Sequence, residues 1–217
     1  MSLNTDSLRA AFETGLASMG VALEPPQVAA ALQYLSLLDK WNRVYSLSAI
    51  REPERMLTHH LLDSYSVLPA FEAFAPQRIL DVGSGGGMPG MLLAIARPRW
   101  HITLIDSNSK KTAFLQQTAI QLGLANVSVA TARVEQFVPT EAYDVITSRA
   151  FAELVDFVTL AGCHLKSSGR MLALKGVYPH EEIRRLPADW QVESVLPLHV
   201  PGLDAERHLV NLVRKPS

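Results

Sequence analysis

The sequence predicts an α/β protein built on one mostly parallel sheet. From about residue 78 onward, short apolar segments of strand length alternate with amphipathic segments of helical length, and a glycine-rich turn follows the first strand-like segment. This alternation is typical of a doubly wound, Rossmann-like sheet with right-handed crossovers. With 217 residues, of which 48% are hydrophobic and 19% charged, the chain has enough apolar material for one such core.

The first third of the chain is predicted to be helical. Apolar residues at helical spacing indicate a first helix that ends near Gly20, a second that begins at Pro25 and a third that begins near Pro53. The third carries the apolar residues Leu57, Leu61, Tyr65 and Leu68. We therefore expect residues 1–75 to form a helical cap or subdomain and residues 76–217 to form the sheet-based core.

Seven strands are predicted in that core. They span residues 78–82, 101–106, 127–130, 143–147, 171–174, 191–198 and 208–213. Pro98 stops the first intervening helix, Ser107 or Asn108 caps the second, and Gly123 ends it. A further helix is expected around residues 152–165.

Turn signals define the last part of the predicted sheet. Ser167-Ser168-Gly169 is expected to form a turn before the fifth strand. The segment 201–204, Pro-Gly-Leu-Asp, joins the last two strands. A connection of this kind predicts an antiparallel pair at the edge of an otherwise parallel sheet.

The charge is nearly balanced but unevenly distributed. The chain has 20 Lys and Arg against 21 Asp and Glu, a net charge of −1, which argues mildly against a dedicated nucleic-acid-binding protein. Residues 1–75 hold 5 basic and 8 acidic side chains, whereas residues 76–149 hold 7 basic and 5 acidic ones. The middle of the chain is therefore its only basic part.

Cysteine content and hydropathy predict a cytoplasmic protein without a membrane segment. The single cysteine, Cys163, excludes an intramolecular disulfide and a cysteine-rich zinc site. It falls within a predicted helix, so we expect a buried, unreactive thiol. The N-terminal residues lack the apolar run of a signal peptide, and the longest apolar stretch, Met88 to Ala96, is much shorter than the ~20 residues of a membrane span.

The glycine-rich turn after the first strand is predicted to bind a ligand, and it fits two patterns. Gly85-x-Gly87-x-x-Gly90 matches the dinucleotide fingerprint, with Asp106 at the offset expected for a ribose partner. That pattern alone is a weak signal, and a NAD-type oxidoreductase remains an alternative.

The other frame is Asp81-x-Gly83-x-Gly85-x-Gly87, which resembles motif I of class I S-adenosylmethionine methyltransferases. A carboxylate at Asp81 would attract an ammonium or sulfonium group, whereas it would repel a pyrophosphate. Asp106 would hold ribose hydroxyls in either case. The acidic residue therefore favours S-adenosylmethionine.

The sequence after the fourth strand constrains the methyl acceptor. Enzymes that methylate exocyclic amines of bases typically carry Asn- or Asp-Pro-Pro-aromatic there, whereas residues 147–151 read Thr-Ser-Arg-Ala-Phe. The position of Cys163 disfavours carbon methylation through a thiolate. An acceptor with its own lone pair remains, either a ring nitrogen such as guanine N7 or an oxygen assisted by a base.

Short motifs along nearly the whole chain from about residue 30 carry a family resemblance. They are Trp41-Asn42, Tyr45-Ser46-Leu47-Ser48, His60-x-x-Asp63-Ser64, Asp81 to Gly90, Leu104-Ile105-Asp106-Ser107, Lys110-Lys111, Phe114-Leu115, Arg133-x-Glu135, Ser148 to Phe151, Lys175-Gly176 and Glu206-Arg207-His208. Together they resemble the bacterial RsmG family, also called GidB. The glycine loop followed by Met-Pro-Gly is specific to it. The segment 45–48 departs from the Asn-Leu-Thr that the family often has.

The resemblance implies a class I S-adenosylmethionine-dependent methyltransferase fold and a specific reaction. The methyl group of S-adenosylmethionine would go to N7 of a guanine in the 530 loop of 16S rRNA, position 527 in the usual rRNA numbering. The partner would be 16S rRNA within the small ribosomal subunit, and we expect a monomer. The residues implied or predicted to bind the cofactor are Asp81, Gly83, Gly85, Gly87, Met88, Asp106, Val134, Glu135 and Arg149.

Four residues are candidates for a catalytic or substrate role, each with an alternative. Arg149 would contact the cofactor carboxylate or an RNA phosphate, or form an ordinary ion pair. His60 and Asp63 lie one turn apart on a helix, which suits substrate contact or packing; no third ligand has matching spacing, so no metal is expected. Lys175, at the end of the fifth strand, would contact a phosphate or be solvated. A noncatalytic ribosome assembly factor that retains the cofactor pocket is a second alternative function.

Overall fold

A computed structural model describes residues 5–151 and 153–216 as seven strands and the helices that cover them. The strands are β1 (Arg78–Val82), β2 (His101–Asp106), β3 (Val127–Thr131), β4 (Tyr143–Arg149), β5 (Leu165–Lys175), β6 (Trp190–Pro197) and β7 (His208–Arg214). They form one sheet in the order β3-β2-β1-β4-β5-β7-β6. The first five are parallel, and β7 runs antiparallel between β5 and β6. The predicted mixed sheet with an antiparallel edge pair is confirmed.

The α-helices lie N-terminal to the sheet and between its strands. They are α1 (Thr5–Ser18), α2 (Pro25–Tyr45), α3 (Pro53–Met56), α4 (Asp63–Tyr65), α5 (Leu68–Ala73), α6 (Gly90–Ala96), α7 (Ser109–Gln121), α8 (Leu154–Ala161) and α9 (His180–Arg184). The predicted caps fit this arrangement, since the Asn108 side chain accepts a hydrogen bond from the Lys110 N–H at 2.9 Å. Within the described ranges, none of these helices is both long and apolar enough to cross a membrane.

The third predicted helix is not one regular helix. Its centre, Leu57–Leu62, is a π-helical segment between α3 and α4, and the helix ends at Tyr65. Pro69 explains the break, because it has no N–H to donate to the carbonyl of Tyr65 and therefore cannot extend the preceding turn. A new helix, α5, starts at Leu68 with this proline in its first turn.

The predicted turn at 167–169 lies inside β5. Leu165 pairs with Tyr143 and Arg170 pairs with Val145, so the intervening residues of β5 bulge out of the ladder. A side chain at Gly169 would lie 2.9 Å from the backbone oxygen of Asp144, which explains the glycine at this close approach.

Alternate residues of each central strand pack on opposite faces of the sheet. Ile79 belongs to a core shared with the N-terminal helices and with α6 and α7, whereas Leu80 belongs to a second core under α8. Polar contacts reinforce the first core: the Tyr34 hydroxyl donates to the Gly86 carbonyl at 2.8 Å, and the Gln27 amide donates to the Ala96 carbonyl at the same distance. The N-terminal helices are thus packed directly against the glycine loop, and a domain boundary near residue 75 stays a prediction.

The structure corrects the expected environment of the cysteine. Cys163 lies in a short 3-10 turn, Gly162–His164, that follows α8, and its side chain is exposed. In the same turn His164 is buried, and its ring nitrogen Nε2 lies 2.8 Å from the Val134 carbonyl oxygen. The predicted helix therefore ends before residue 165, because its last residues form this turn, in which the cysteine side chain is exposed.

We predict that Gly90→Ala destabilises the fold. A methyl group at this position would clash with the Leu104 side chain and lie 2.7 Å from Asp81 Oδ2, both of which are buried. The free energy of unfolding measured in urea should fall by about 1–3 kcal/mol, the usual cost of overpacking a core. Gly176→Ala is the matched control, because a methyl group there meets no described atom within 4 Å. Equal stability of the two variants would contradict this packing.

Candidate active site

The loop between β1 and α6 folds over the end of β2. Gly83, Gly85 and Gly87 have φ angles of 66°, 56° and 89°, which other residues rarely adopt. The backbone N–H groups of Gly83 and Ser84 donate to the carbonyl oxygen of Ile105, at 2.9 and 3.0 Å. The glycines therefore shape a tight loop at the carboxyl ends of β1 and β2, where open α/β sheets bind ligands.

The Asp81 carboxylate is buried at the base of this loop. Its Oδ2 accepts a hydrogen bond from the Gly90 N–H at 2.9 Å, while Oδ1 is buried without a hydrogen-bond partner among the described residues. Burial raises the pKa of Asp81 to about 7, against the lowering effects of the Gly90 N–H and the Arg149 charge. Because the carboxylate takes the N–H at the start of α6, that donor is not open to a pyrophosphate, as the dinucleotide pattern would require.

Asp106, at the end of β2, holds the loop from the other side. Its Oδ2 accepts from the Gly85 N–H at 3.0 Å, and its Oδ1 accepts from the Asn108 N–H at 2.9 Å. Lys111 Nζ lies 3.6 Å from Oδ2. Each carboxylate oxygen has a second lone pair, so Asp106 can also accept hydrogen bonds from a ligand.

A first cleft of about 350 Å³ opens beside Asp106. Its lining residues are Val82, Gly83, Ile105, Asp106, Ser107, Lys111, Ala132, Arg133, Val134, Glu135, Ala150, Phe151 and Leu160. Four predicted cofactor residues, Gly83, Asp106, Val134 and Glu135, therefore meet in one cavity although they follow three different strands. Val134 is buried, whereas Glu135 is exposed and pairs with Arg133 at 3.9 Å.

The other predicted cofactor residues, which lie in the loop, next to it or at the end of β4, are not among those that line the first cleft. A side chain at Gly87 would lie 2.8 Å from Leu115 Cδ2, so this glycine allows close packing on α7. Met88 is buried, and its Sδ lies 3.1 Å from Arg149 Nη2. Asp81 and Gly85 act in the same region through the loop hydrogen bonds given above.

A second cleft of about 440 Å³ adjoins the first. Its lining residues are Ile50, His59, His60, Asp63, Arg149, Ala150, Leu174, Lys175, Gly176 and Arg207. Ala150, whose φ of 60° turns the chain sharply after β4, lines both clefts. All four candidate catalytic residues, Arg149, Lys175, His60 and Asp63, are brought together here.

One buried carboxylate organises the second cleft. Asp63 Oδ2 accepts from Arg149 Nη1 at 3.0 Å, and Asp63 Oδ1 accepts from Arg207 Nε at 2.8 Å. Arg149 also donates to the His59 carbonyl oxygen at 3.1 Å. Asp63 is almost completely buried, while both arginines keep about a quarter of their side chains exposed. The ion-pair alternative for Arg149 is therefore observed, with cationic surface left at the cleft.

Arg207 is a site residue that the sequence did not single out. It occurs in the motif Glu206-Arg207-His208, but 144 residues separate it from Asp63. No local spacing connects the two positions. The signals available in the sequence are this motif and the position of a basic residue directly before the last strand.

His60 lies on the π-helical segment and is neutral at pH 7. Its Nε2 is 2.9 Å from Ser48 Oγ, and its Nδ1 is buried without a hydrogen-bond partner within the described structure. Burial, and next the Arg149 charge, lower the pKa of His60 to about 4. The Ser48 N–H donates in turn to Asn42 Oδ1 at 2.8 Å. The segment 45–48, which departs from the family pattern, thus supports His60.

Lys175 is held by a carboxylate from α9. Its Nζ lies 2.7 Å from Glu182 Oε2, which also accepts from the Leu154 N–H at 2.7 Å. Glu182 thereby ties the ends of β5, α8 and α9 together, a role without a sequence signal. Across residues 5–151 and 153–216, no group of three His, Cys, Asp or Glu side chains is arranged to hold a metal ion.

Comparison with known proteins assigns the chain to a family. The model of the GidB family, described as rRNA small subunit methyltransferase G, matches residues 27–210. The chain belongs to this family. A protein named ribosomal RNA small subunit methyltransferase G from Laribacter hongkongensis is 55% identical to it over 95% of this chain and 98% of its own length. A protein of the same name from Chromobacterium violaceum is 52% identical over 98% of this chain and 99% of its own.

Solved structures support the fold of this rRNA small subunit methyltransferase G family member. The O-methyltransferase TomG from Streptomyces achromogenes, crystallised with S-adenosylmethionine, has a TM-score of 0.57 to this chain. The match covers 97% of this chain and 96% of TomG at 15% sequence identity. The class I methyltransferase fold expected from the sequence is therefore confirmed, including the N-terminal helices.

We predict that Asp63→Ala strongly destabilises this rRNA small subunit methyltransferase G family member. The substitution leaves Arg149 and Arg207 without their shared, buried counterion. Unfolding in urea should show a loss of about 2–4 kcal/mol, somewhat below the full cost of breaking a buried pair because the arginines are partly exposed. Glu181→Ala, which removes an exposed ion pair with Arg184, should cost less than about 1 kcal/mol. Similar losses in both variants would contradict a structural role for the Asp63 bridge.

Proposed function

We propose that this protein transfers the methyl group of S-adenosylmethionine to N7 of a guanine in the 530 loop of 16S rRNA, position 527 in the usual numbering. The observation that carries the proposal is the pair of clefts that meet at Ala150. One is lined by Gly83 of the glycine loop and by Asp106 at the end of β2, and the other presents two arginines. Membership of a family named for methylation of small-subunit rRNA supports this assignment.

The residues of the first cleft and of the glycine loop beside it fit S-adenosylmethionine as the methyl donor. Asp106 has free lone pairs for ribose hydroxyls, and Val134 offers an apolar surface to adenine with Glu135 beside it. Asp81 Oδ1, buried and without a described partner, suits the ammonium group of the methionine portion. Once bound, the donor supplies an electrophilic methyl group on a sulfonium. Gly83, Gly85, Gly87 and Met88 would shape the loop around it.

The second cleft fits an acceptor nitrogen that needs no general base. Guanine N7 has an in-plane lone pair and carries no proton at neutral pH. The new N–C bond would form as the methyl–sulfur bond breaks, with S-adenosylhomocysteine as the leaving group and no proton to remove. The protein would contribute by holding the base in line, with proximity supplying most of the rate gain. His60, being neutral, adds no repulsive charge to the cationic methylated purine, and Asp63 neutralises part of the charge of the arginines.

Arg149, Arg207 and Lys175 are proposed to contact the RNA backbone at this cleft. Each keeps part of its side chain exposed while an acidic partner fixes its position. Preorganised cations bind phosphates with little loss of side-chain entropy. We further propose that the protein acts as a monomer in the cytoplasm on 16S rRNA within the small ribosomal subunit.

A methyl-transfer assay on three acceptors tests this proposal. Purified small subunits from a strain that lacks the gene, free 16S rRNA and the isolated loop would each be incubated with tritiated S-adenosylmethionine. Aniline cleavage then maps any N7-methylguanine. We expect transfer to a single guanine in the 530 loop, with the assembled subunit as the best acceptor. Methylation at another base or atom would overturn the specificity.

Two further measurements, the N7 methylation of 16S rRNA in a deletion strain and calorimetry with NAD, distinguish the alternative functions. A noncatalytic assembly factor would bind S-adenosylhomocysteine, but the deletion strain would keep full N7 methylation. A dinucleotide-dependent oxidoreductase would bind NAD in calorimetry and not S-adenosylhomocysteine. The hydrogen bond from the Gly90 N–H to Asp81 disfavours that last alternative.

Cofactor affinity should rise with pH through the titration of Asp81. The pKa of Asp81 in the free protein, about 7, lies above the ordinary 3.8, so the folded protein favours the neutral acid and loses stability as the pH rises from about 4 to 7. A nearby ammonium group favours the carboxylate, so binding releases a proton. The affinity for S-adenosylhomocysteine, measured by calorimetry between pH 5.5 and 7.5, should therefore increase by up to about ten-fold per pH unit below the pKa. In Asp81→Asn the affinity should be lower and independent of pH; a pH-independent wild type would contradict this placement.

Asp106→Ala should weaken binding of S-adenosylhomocysteine at every pH. The substitution removes a charge-assisted acceptor for the ribose and releases the N–H groups of Gly85 and Asn108. The expected loss is roughly 1.5–3 kcal/mol, about a 10- to 150-fold rise in Kd by calorimetry. Glu193→Ala is a suitable control, because Glu193 pairs with Arg170 far from the first cleft. Unchanged affinity in Asp106→Ala would remove this residue from the proposed site.

A further inference from the structure

A cluster of two exposed rings and one half-buried ring lies just beyond the second cleft. Tyr178 follows the end of β5, and its ring centroid is 4.3 Å from that of His180 and 5.7 Å from that of His208. Despite these contacts Tyr178 remains 41% exposed, and the adjacent Val177 is 73% exposed. We call these four residues the Tyr178 patch. Exposed apolar and aromatic side chains grouped in this way commonly mark a binding surface.

The backbone around the patch is well anchored. The ring nitrogen Nδ1 of His208 lies 3.0 Å from the Gly176 carbonyl oxygen, and His208 pairs with Lys175 across β7 and β5. Pro179, directly after Tyr178, is buried and precedes α9. A tyrosine has only two side-chain torsions, so a ring on such a support loses little entropy when it binds a ligand.

The patch continues the line of the two clefts across the sheet. The first cleft lies over β1 and β2, the second at the ends of β4 and β5, and the patch at the junction of β5 and β7. Gly176 and Arg207, which line the second cleft, are the sequence neighbours of patch residues Val177 and His208. A ligand that extends out of the second cleft past Gly176 and Arg207 would therefore reach the Tyr178 patch.

We propose that Tyr178 stacks on the nucleobase next to the methylated guanine, in single-stranded RNA. This inference rests on the proposed function, because it takes the second cleft to hold the target nucleotide. Unpaired bases are commonly recognised by stacking on aromatic side chains. The ring group adjoins Arg207, which can contact a phosphate, so the combination of a stacking surface and a cation matches a nucleotide better than an apolar peptide.

Three variants of Tyr178 test the stacking contact. The probe is a fluorescent RNA fragment with the target guanine and its unpaired neighbours, bound in the presence of S-adenosylhomocysteine and followed by anisotropy. Tyr178→Ala should raise the Kd for this RNA about ten-fold, as expected for the loss of one base–aromatic stack. Tyr178→Phe and Tyr178→Trp should keep wild-type affinity, because both retain a ring. The Kd for S-adenosylhomocysteine should be unchanged in all three.

Ile120→Ala is the matched control for loss of an exposed apolar side chain. Ile120 is 74% exposed on α7, next to β3 at the opposite side of the sheet. Its substitution should leave RNA affinity within about two-fold of the wild type, since no stack is lost. Thermal unfolding of every variant separates weakened binding from weakened folding.

An abasic substitution in the RNA locates the stacked base. Removing the base on the 5′ or the 3′ side of the target guanine should cost the wild type about ten-fold in affinity at one of the two positions. In Tyr178→Ala the same RNA change should cost almost nothing, because the contact is already absent. At the other position both proteins should respond alike.

Two outcomes overturn the inference. One is an affinity of Tyr178→Ala within about two-fold of the wild type, below the effect of a lost stack. The other is that, at both RNA positions, the loss of affinity from the abasic substitution is as large in Tyr178→Ala as in the wild type. If the wild type methylates neither assembled small subunits nor the RNA fragment, the proposed function fails and this inference fails with it. If the wild type methylates assembled small subunits but does not bind the fragment more tightly than Tyr178→Ala does, only the inference fails.

Discussion

The arrangement of the second cleft depends on the ion pairs of the Asp63 carboxylate. Asp63 lies in the helical segment before the sheet, and it binds Arg149 at the end of β4 and Arg207 directly before β7. Arg149 continues the network to Met88 of the glycine loop. A single buried charge thus connects three distant parts of the chain. Its desolvation is offset only when both arginines are in place, which ties the shape of the second cleft to the folding of the N-terminal helices.

Two other carboxylates show how neighbouring strand ends acquire different properties. Asp81 is completely buried under the loop, and one of its carboxylate oxygens accepts a hydrogen bond from the Gly90 N–H. Burial raises the pKa of Asp81 to about 7. Asp106 reaches the first cleft and binds two backbone N–H groups. Burial therefore favours the neutral form of the first carboxyl group, whereas the second reaches a cleft with acceptor positions left for a ligand. Both are held by the loop whose conformation the glycines permit.

The near-neutral charge of the chain is compatible with an RNA substrate because its charges are locally arranged. Asp63 and Glu182 fix the cations of the second cleft, so an excess of basic residues is not required to position them. The same pairing would limit the repulsion between the arginines and the cationic product of the proposed N7 methylation. The balance of basic and acidic residues in the composition argued mildly against a nucleic-acid substrate. Composition cannot show which charged side chains are paired and which face a cleft.

Most strands and helices, and the loop expected to bind a ligand, could be predicted from the sequence. The mostly parallel sheet, its antiparallel edge pair and the glycine turn at the end of β1 follow from local periodicity and turn chemistry. The positions of Asp81 and Asp106 follow from the strands that carry them. The order of the strands came from the structure. The family motifs added the methyltransferase assignment.

Which side chains contact each other became known from the three-dimensional structure. Arg207 and Asp63 are 144 residues apart. The π-helical segment before the break at Pro69 has no signal in the sequence, and Cys163 is exposed where helical spacing predicted burial. Each of these depends on contacts between elements that are distant in the chain. The local spacing of apolar residues indicates whether a segment is a helix or a strand. The contacts of a side chain depend on how the whole sheet and its helices pack.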